Sequence, residues 1–181
     1  MSAVAIIPAC GGSVRIPRKN IKLFHGRPII AYSIEAAKAS GLFDRVVVST
    51  EDEEIANVAQ DFGADVLMRP VSMTTDDVGT QEVTAHALGL MAPCRYACCI
   101  YPCAPMLDAS DLLYGFTCLR ANPHLFAYVK GWYYWGTSGA FIENSALGEP
   151  LHISSLRAID IDTMDDWTRA EKLYEALHAA A

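Results

Sequence analysis

Two aspartates near the end of the chain have the clearest potential for chemistry. Asp160 and Asp162 lie two residues apart in the stretch AIDIDTMDD, and an extended segment would point both side chains to one face. Two carboxylates on one face suit an octahedral Mg²⁺ ion that keeps several of its waters. Asp162 also directly precedes a predicted helix, and these residues alone favour an N-cap role for it. Asp165 and Asp166 are expected in the first turn of that helix, where acidic side chains are favourable.

A glycine-containing loop after the first apolar run could hold a phosphate group. In the stretch IIPACGGSVRIPRKN, the backbone N–H groups of Gly11, Gly12 and Ser13 could cup an anion. Three nearby cations could neutralise it: Arg15, Arg18 and Lys19. An ordinary glycine turn with solvated cations explains the same residues equally well. The spacing disfavours a dinucleotide fingerprint, because prolines interrupt the following segment, and it disfavours a Walker loop, because no GK[ST] follows.

The bulk composition indicates one globular domain with an acidic balance. The chain has 181 residues, an apolar fraction of 52% and a charged fraction of 19%, which suit a single domain over residues 1–181. The net charge of -7 argues against general binding to nucleic acid or to a membrane surface, so an anion site must be local. The N-terminal residues lack a signal-peptide pattern, and no apolar run is long enough to span a bilayer. We therefore expect a cytoplasmic protein.

Six cysteines are compatible with a reducing compartment, and four of them cluster in the stretch CRYACCIYPC. A zinc site there is disfavoured, because adjacent cysteines on a strand point to opposite faces and the stretch has neither a CxxC pair nor a nearby histidine. The pattern favours buried, reduced thiols over a metal site.

The elements that must position these residues alternate along the chain between apolar runs, which predict buried strands, and amphipathic stretches, which predict helices. The predicted strands are 3–7, 45–50, 64–70, 96–101 and 125–129, with 139–143 as a further candidate. The predicted helices are 27–40, 51–63, 80–91 with Thr80 as its N-cap, 108–122 and 162–179.

This alternation predicts an α/β fold: a three-layer, Rossmann-like arrangement with a mainly parallel sheet and helices on both faces. In such folds ligands bind beyond the carboxyl ends of the strands. The loops over 8–20 and 102–105 both leave strands at that end, so we expect them to form one site.

Three blocks of the sequence together resemble a known enzyme family. Residues 6–59, which begin IIPACGGSVRIPRKNIK, are similar to the CMP-sugar synthetases, or acylneuraminate cytidylyltransferases, whose pattern is IIPARGGSKRIPRKNIK. The stretches YACCIYPCAPML and DIDTMDDWTRAEKLYEAL resemble the same family, and YYWG points to its pseudaminic acid branch. The resemblance implies a nucleotide-diphospho-sugar transferase type of fold. It also implies transfer of CMP from CTP to a nine-carbon, sialic-acid-like sugar, with Mg²⁺ as cofactor and pyrophosphate as the second product.

The same resemblance implies roles for individual residues. Asp160 and Asp162 would bind the metal, and Lys19 and Asp162 would be catalytic. Arg69 would lie near the nucleotide, and the turn with Asp77, Gly79 and Thr80 would lie beside the base or ribose. The loop that begins at Tyr101 would cover the cytosine. The complete nucleotide-binding set that we predict is Pro8, Ala9, Gly11, Gly12, Ser13, Arg15, Lys19, Asn20, Arg69, Thr80 and Tyr101.

The chain departs from the family pattern in three places. Cys10 stands where the pattern has arginine, and Val14 stands where it has lysine. Near Lys130 the chain joins two pieces that family members separate by several tens of residues, a segment that the family uses for the sugar acid and for dimer contacts. These departures weaken the expected homodimer. They also keep two alternatives open: a non-catalytic nucleotide-binding relative, and a nucleotidyltransferase with a smaller sugar-acid acceptor.

Overall fold

A mixed sheet organises the protein. The computed structural model describes residues 2–74, 78–123, 126–143 and 151–179, and within these ranges the chain forms nine strands. The strands are β1 (Ala3–Pro8), β2 (Leu23–Phe24), β3 (Arg27–Pro28), β4 (Arg45–Thr50), β5 (Asp65–Met68), β6 (Tyr96–Ile100), β7 (Ala127–Val129), β8 (Tyr133–Thr137) and β9 (Leu151–His152). Strands β2 and β3 pair only with each other, and the other seven form one sheet in the order β5-β4-β1-β6-β8-β7-β9.

The strands of the large sheet run parallel except at β8. Strands β5, β4, β1 and β6 pair in parallel, whereas β8 is antiparallel to both β6 and β7. Strand β9 is again parallel to β7. Strand β1 is buried along its whole length, as its continuous apolar sequence predicts for a strand covered on both faces.

Helices cover both faces of this sheet. The described ranges contain α1 (Ile29–Ala39), α2 (Glu53–Asp61), α3 (Thr80–Gly89), α4 (Ala109–Ala121), α5 (Ser138–Ile142) and α6 (Met164–His178). Helices α1, α2 and α4 pack on one face, and α6 joins them through Trp167, whose ring centroid lies 5.5 Å from that of Phe24. Helices α3 and α5 pack against each other on the opposite face. The predicted three-layer α/β fold with a mainly parallel sheet is confirmed.

Several predicted element boundaries are wrong, each for a local reason. The helix predicted from Arg27 begins at Ile29, because Arg27 and Pro28 pair with β2. The candidate strand over 139–143 lies in helix α5, whose N-cap Thr137 accepts a hydrogen bond from the backbone N–H of Ala140 at 3.3 Å. Such a cap is difficult to read from an apolar stretch of five residues.

Helix α3 is capped one residue earlier than predicted. Its N-cap is Gly79 rather than Thr80, and the Gly79 N–H donates to the Glu82 carboxylate at 2.9 Å. Thr80 is therefore the first residue of the helix, at the end that faces the carboxyl edge of the sheet.

A tight hairpin joins β7 to β8 beside Lys130. Val129 pairs with Tyr133, and the Trp132 N–H donates to the Val129 carbonyl at 3.0 Å. Gly131 lies in this turn with φ of 79°, a conformation that residues with a Cβ rarely adopt. The sheet is therefore continuous through this turn.

The described part of the chain contains no helix that is both long and apolar enough to cross a membrane.

Candidate active site

One cavity lies at the carboxyl edge of the sheet, beyond β1 and β6. It has a volume of about 670 Å³ and is bounded by the loop after β1, the loop after β6, Gly131 and the segment before α6. We call residues 9–20 the phosphate loop. The structure brings ten of the predicted site residues to this cavity: Pro8, Gly12, Ser13, Arg15, Lys19, Asn20, Thr80, Tyr101, Asp160 and Asp162. Residues far apart in the chain therefore meet at one edge, as strand–helix alternation requires.

The phosphate loop is fastened to the rest of the site by Asn20. Its side chain is almost fully buried, and its Nδ2 donates to the Cys10 carbonyl at 2.8 Å. The Cys103 thiol donates to Asn20 Oδ1 at 3.4 Å. Asn20 thus connects the two loops that leave β1 and β6, and its amide determines how far apart they lie.

Two cations of the phosphate loop point across the cavity to the metal-site candidates. Lys19 Nζ donates to the Ile161 carbonyl at 2.7 Å and lies 3.4 Å from Asp162 Oδ1. A guanidinium nitrogen of Arg15 lies 3.3 Å from the same oxygen. The two cations and the carboxylate therefore share one small volume, in which a phosphate group would find both positive charge and a metal ligand.

Arg18 does not take the role that the sequence suggested for it. Its guanidinium forms two hydrogen bonds with the Asp52 carboxylate, one of them 2.9 Å long, and also pairs with Glu54. Its backbone is in the left-handed region with φ of 55°, which turns the side chain toward α2. Arg18 therefore anchors the loop to α2 and does not line the cavity.

Asp160 and Asp162 present a donor set that fits a hard divalent cation. Ile161 between them is buried, so the alternation of an extended segment places both carboxylates on the cavity side. Thr163 is the N-cap of α6 and bonds to Asp166, so the N-cap role that competed for Asp162 belongs to its neighbour. Partial burial, followed by the charge of Asp162, raises the pKa of Asp160.

The described residues form no group of three or more His, Cys, Asp or Glu side chains suited to a metal ion, either at this site or elsewhere. Two protein carboxylates are nevertheless sufficient for Mg²⁺ at a phosphate site, because this ion usually retains waters and takes further ligands from substrate phosphates.

Three predicted nucleotide-binding residues lie outside the cavity lining. Ala9 is buried and its N–H donates to Ser49. The Gly11 N–H donates to Glu51 Oε1 at 2.7 Å, and a Cβ on Gly11 would clash with Asp52. These backbone groups are already paired within the protein, which leaves Gly12 and Ser13 as the part of the glycine turn that faces the cavity.

Arg69 is the third predicted residue outside the cavity. Its side chain is 3% exposed, bonds to the Ser49 carbonyl and lies 3.0 Å from Glu51 Oε2. Burial lowers the pKa of Arg69, while the charge of Glu51 opposes that effect. Arg69 and Glu51 thus form a buried pair beneath the phosphate loop, with Glu51 holding Gly11 above it. Sequence reasoning missed Glu51, because an acid at the start of α2 reads as an ordinary first-turn residue.

The opposite end of the cavity is built by Thr80, Tyr101 and the residues that follow Tyr101. The Tyr101 N–H donates to the Trp132 carbonyl at 2.7 Å, and the Tyr101 carbonyl accepts from Ser33 Oγ at 2.8 Å. The backbone of Tyr101 is therefore engaged, and its half-buried ring is the part that faces the cavity. Burial raises the pKa of Tyr101, so the phenol stays neutral. Asp77 of the predicted base-side turn lies outside the described residues.

The two departures in the phosphate loop both lie on the cavity lining. Val14 is 91% exposed, and Cys10 is partly buried beside Asn20. Neither side chain brings a positive charge to the cavity. Lys19 and Arg15 are therefore the cations that the phosphate loop directs into this space.

Arg157 supports the site from outside and was missed by sequence reasoning. Its guanidinium donates to the Met106 carbonyl at 3.1 Å, to Asp108 at 3.0 Å and to Asp111 at 2.7 Å. It also lies over the Trp132 ring, 5.5 Å from the centroid. Arg157 thus fixes the segment before Asp160 to the start of α4, but a lone arginine in a loop gives no sequence signal for such a role.

Comparison with known proteins identifies the class to which this fold and site belong. The family model described as "Cytidylyltransferase" matches residues 4–149. The chain belongs to the cytidylyltransferase family and, within it, to the CMP-sugar synthetases, as its motifs predicted.

Similarity to individual proteins agrees with this family. The chain is 31% identical to the pseudaminic acid cytidylyltransferase of Campylobacter jejuni over 232 aligned residues, covering 100% of both chains. It superposes on CMP:2-keto-3-deoxy-manno-octonic acid synthetase complexed with CTP with a TM-score of 0.78, at 16% identity over 97% of this chain and 99% of that chain. The Mycobacterium tuberculosis protein Rv0371C, solved as a complex with manganese, gives a TM-score of 0.68 at 14% identity, over 95% of this chain and 99% of that chain.

The alignment with the Campylobacter protein is longer than this chain. It spans 232 positions, and this chain has 181 residues, so 232 minus 181 leaves at least 51 positions without a counterpart here. A difference of this size agrees with the segment that the sequence comparison with the family pattern expects to be missing. Its location near Lys130 remains a prediction.

Proposed function

We propose that this chain transfers CMP from CTP to the anomeric hydroxyl of pseudaminic acid, a nine-carbon, sialic-acid-like sugar. In this reaction the anomeric oxygen forms a bond to the α-phosphorus of CTP, and the bond from that phosphorus to the β-phosphate oxygen breaks. Pyrophosphate leaves with the bonding electron pair, and the proton of the hydroxyl group is released. Full-length similarity to the pseudaminic acid cytidylyltransferase of Campylobacter jejuni supports this choice of substrates.

The observation that carries the proposal is the meeting of the phosphate loop with the two aspartates across one cavity. Lys19 and Arg15 lie 3.4 Å and 3.3 Å from Asp162, although about 145 residues separate them along the chain. Phosphoryl transfer relies mainly on positioning and on neutralising charge, and this arrangement concentrates both functions at one point.

We propose one orientation for the nucleotide in the cavity. The exposed N–H side of Gly12 and Ser13, together with Lys19 and Arg15, would hold the triphosphate. The base would lie at the opposite end, between Thr80 and the Tyr101 ring, with Pro102 and Cys103 beside it. Asn20 would act by keeping the two ends at a fixed distance, since its amide bonds to Cys10 and Cys103.

Asp160 and Asp162 would hold a Mg²⁺ ion, which would neutralise charge on the phosphoryl oxygens of bound CTP. The manganese complex of a protein with the same fold supports a divalent ion in this class of proteins. Lys19 and Arg15 pair with Asp162, and these cations would turn to the phosphates when nucleotide binds.

A second candidate function is CTP binding without turnover. It is favoured by Cys10 and Val14, which stand where the family pattern has an arginine and a lysine. Each missing charge-assisted contact to phosphate would weaken binding by about tenfold to a hundredfold. The loss in rate would be greater if the contact acts mainly in the transition state.

Pyrophosphate release from CTP tests the proposal directly. The purified chain would be incubated with CTP, Mg²⁺ and pseudaminic acid, and with each component omitted in turn. We expect release only in the complete mixture, and with CTP in preference to UTP or ATP. Calorimetric CTP binding without release under any condition would establish the second candidate, and the absence of both would refute a nucleotide role. N-acetylneuraminic acid and a shorter sugar acid in parallel reactions would define the acceptor.

We propose a cytoplasmic location, where CTP is made available for biosynthesis, and partners limited to CTP and a sugar acid, without nucleic acid or a membrane. The net charge of -7 supports the exclusion of nucleic acid, since cations are confined to local positions.

A further inference from the structure

A second cavity adjoins the candidate active site at Asp160. It has a volume of about 350 Å³ and lies between the ends of β7 and β9, the loop after β9 and the start of α6. Asp160 lines both this cavity and the larger one. A ligand in the second cavity would therefore contact the same carboxylate that faces the nucleotide.

The β7–β8 turn forms the wall between the two cavities. Lys130 lines the second cavity, and Gly131 lines the larger one. A Cβ added to Gly131 would lie 2.8 Å from Asp160 Cα, so the turn packs directly against the backbone of the metal-site segment. The two cavities therefore adjoin each other at this turn, and Asp160 lines both of them.

The lining of the second cavity suits an acidic, hydroxyl-rich ligand. Lys130 and Arg169 supply two cations that can pair with a carboxylate, and two carboxylates, Asp160 and Asp166, also line the cavity. His152, Ser154 and Ser155 supply polar groups for hydroxyl or amide substituents. Apolar side chains complete the lining on the sheet side, namely Val129, Ile153, Ala158 and Ile159. A volume near 350 Å³ is within the range of small-molecule sites.

Arg169 is available for such a ligand. Its side chain is 70% exposed, and its one ion pair with a described residue is a 3.4 Å contact with Asp166. Exposed pairs of this kind contribute little to stability. Asp166 is separately bonded to Thr163 and to the Asp162 N–H, so the start of α6 does not depend on Arg169.

In-line phosphoryl transfer determines which side of the nucleotide the acceptor must occupy. The attacking and leaving oxygens lie on opposite sides of the phosphorus. Residues of the phosphate loop, which would hold the leaving pyrophosphate, line the larger cavity and not the second one, whereas Asp160 lines both.

We propose that the second cavity binds the acceptor sugar acid, with Lys130 and Arg169 pairing with its carboxylate and with Ser154, Ser155 and His152 contacting its polar substituents. This inference rests on the proposed function. It also explains how a chain that lacks the family segment can still present a complete acceptor site from its own residues.

Calorimetric titration with pseudaminic acid, in the absence of metal so that no turnover occurs, tests the assignment. Arg169→Ala and Lys130→Ala should each weaken binding of pseudaminic acid by about tenfold to a hundredfold, while CTP binding stays unchanged. Arg169→Lys should recover part of the loss, because it keeps the charge. Lys172→Ala is the matched control: Lys172 lies on the same helix, is exposed and does not line the second cavity.

Binding of a carboxyl-reduced form of pseudaminic acid provides an independent test. The wild-type protein should prefer the acid over the reduced sugar, and Arg169→Ala and Lys130→Ala should abolish that preference. Unchanged binding of the acid in both variants would refute the inference, even if the wild type turns over CTP. Variant-sensitive binding without any turnover would support the acceptor site and refute the proposed reaction. Absence of binding to the wild type would refute the inference.

Discussion

At the scale of single residues, the site depends on which cations face the cavity and which are paired elsewhere in the protein. Arg18 is held by Asp52 and Glu54, and Arg69 is buried against Glu51, whereas Lys19 and Arg15 reach Asp162. A charge that is committed to a buried or bidentate pair is costly to redirect toward a ligand. The phosphate loop therefore brings fewer working cations to the cavity than its sequence contains.

Neutralising either metal-site carboxylate should abolish metal-dependent activity. Asp160→Asn and Asp162→Asn keep the size of each side chain but remove the charge that a divalent ion requires. We expect at least a hundredfold loss in pyrophosphate release and a clear loss of Mn²⁺ binding, measured by electron paramagnetic resonance. Asp165→Asn is the control, since Asp165 lies in the first turn of α6 and does not line the cavity. Unchanged Mn²⁺ binding in both variants would show that the metal assignment is wrong.

Restoring positive charge at position 14 should increase activity. Val14 is 91% exposed on the cavity lining, so Val14→Lys introduces a cation without disturbing packing. We expect an increase in kcat/KM for CTP of about tenfold, measured by pyrophosphate release at low salt. Leu90→Lys makes the same change at an exposed position outside the cavity. An equal effect in both variants would indicate a general charge effect rather than a phosphate contact.

At the scale of elements, the start of α2 and the β7–β8 turn hold the site in place. Asp52 caps α2 through the Ile55 N–H at 3.0 Å and pairs with Arg18 of the phosphate loop. Gly131 allows the β7–β8 turn to pack against Asp160. Through these contacts, the start of α2 holds the phosphate loop and the β7–β8 turn holds the segment that contains Asp160.

The Arg18–Asp52 pair should make stability dependent on acid pH. Hydrogen bonding to Arg18 lowers the pKa of Asp52 to about 2, so its stabilising contribution is present above the unfolded pKa of 3.8 and is lost as pH falls toward 2. Asp52→Asn keeps the N-cap and should remove about 1 kcal/mol at neutral pH, whereas Asp52→Ala should cost about 1 kcal/mol more. Urea unfolding at pH 7 and at pH 3 measures both effects.

The two Asp52 variants separate the cap from the ion pair. The difference in unfolding free energy between wild type and Asp52→Asn should shrink as the pH approaches 2, because protonated Asp52 no longer carries the charge. A difference that stays constant over this pH range would contradict the role given to the ion pair.

Adding a methyl group at Gly131 should disturb both the fold and the metal site. Gly131→Ala places a Cβ 2.8 Å from Asp160 Cα at a φ of 79°, so steric overlap and backbone strain combine. We expect a loss of about 2–4 kcal/mol in unfolding free energy, together with weaker Mn²⁺ binding. Gly139→Ala is the control, because an added Cβ meets nothing within 4 Å there. Normal stability and metal binding in Gly131→Ala would refute the wall between the cavities.

At the scale of the whole molecule, an acidic protein carries a small cationic site at one edge of its sheet. The net charge of -7 keeps nonspecific anion binding low, while Lys19 and Arg15 supply positive charge where the strands end. The hairpin near Lys130 joins β7 directly to β8. The chain is also shorter than its alignment with the Campylobacter jejuni relative, which spans 232 positions.

A shorter chain should also associate less strongly. The resemblance assigns much of the dimer contact to the segment expected to be missing, and a stable dimer requires roughly 800 Å² from each partner. We expect a mass close to 19.7 kDa by sedimentation equilibrium at micromolar concentration. A mass near twice that value would show that another surface supports the dimer. Exposed Leu113 and Tyr114 on α4 would then be the first positions to replace with glutamate.

Much of the architecture could be predicted from local patterns. Buried strands such as β1 and β4 are continuous apolar runs, and α2 and α6 have acidic first turns. The errors fall where a short element depends on a cap or on a distant partner. Helix α5 begins at a Thr137 cap, and the β3 pairing shortens the start of α1. Such choices depend on contacts that an isolated stretch does not contain.

The candidate site, like the fold, could be predicted only in part from local patterns. The motifs placed the phosphate loop, Tyr101 and the aspartate pair at one edge, because loops after parallel strands must meet there. They could not assign the direction of each cation. Arg18 and Lys19 are adjacent, yet one contacts Asp52 and the other contacts Ile161.

The sequence by itself determined the family, the class of fold and the identity of the residues that could contact phosphate and metal. Only the tertiary structure decided which of them face the cavity, because that depends on partners such as Asp52, Glu51 and Ile161, which lie far away along the chain. It also decided that the Lys130–Gly131 turn packs against Asp160 and separates two cavities. A turn acquires such a role only when the sheet brings it beside a segment about 30 residues away.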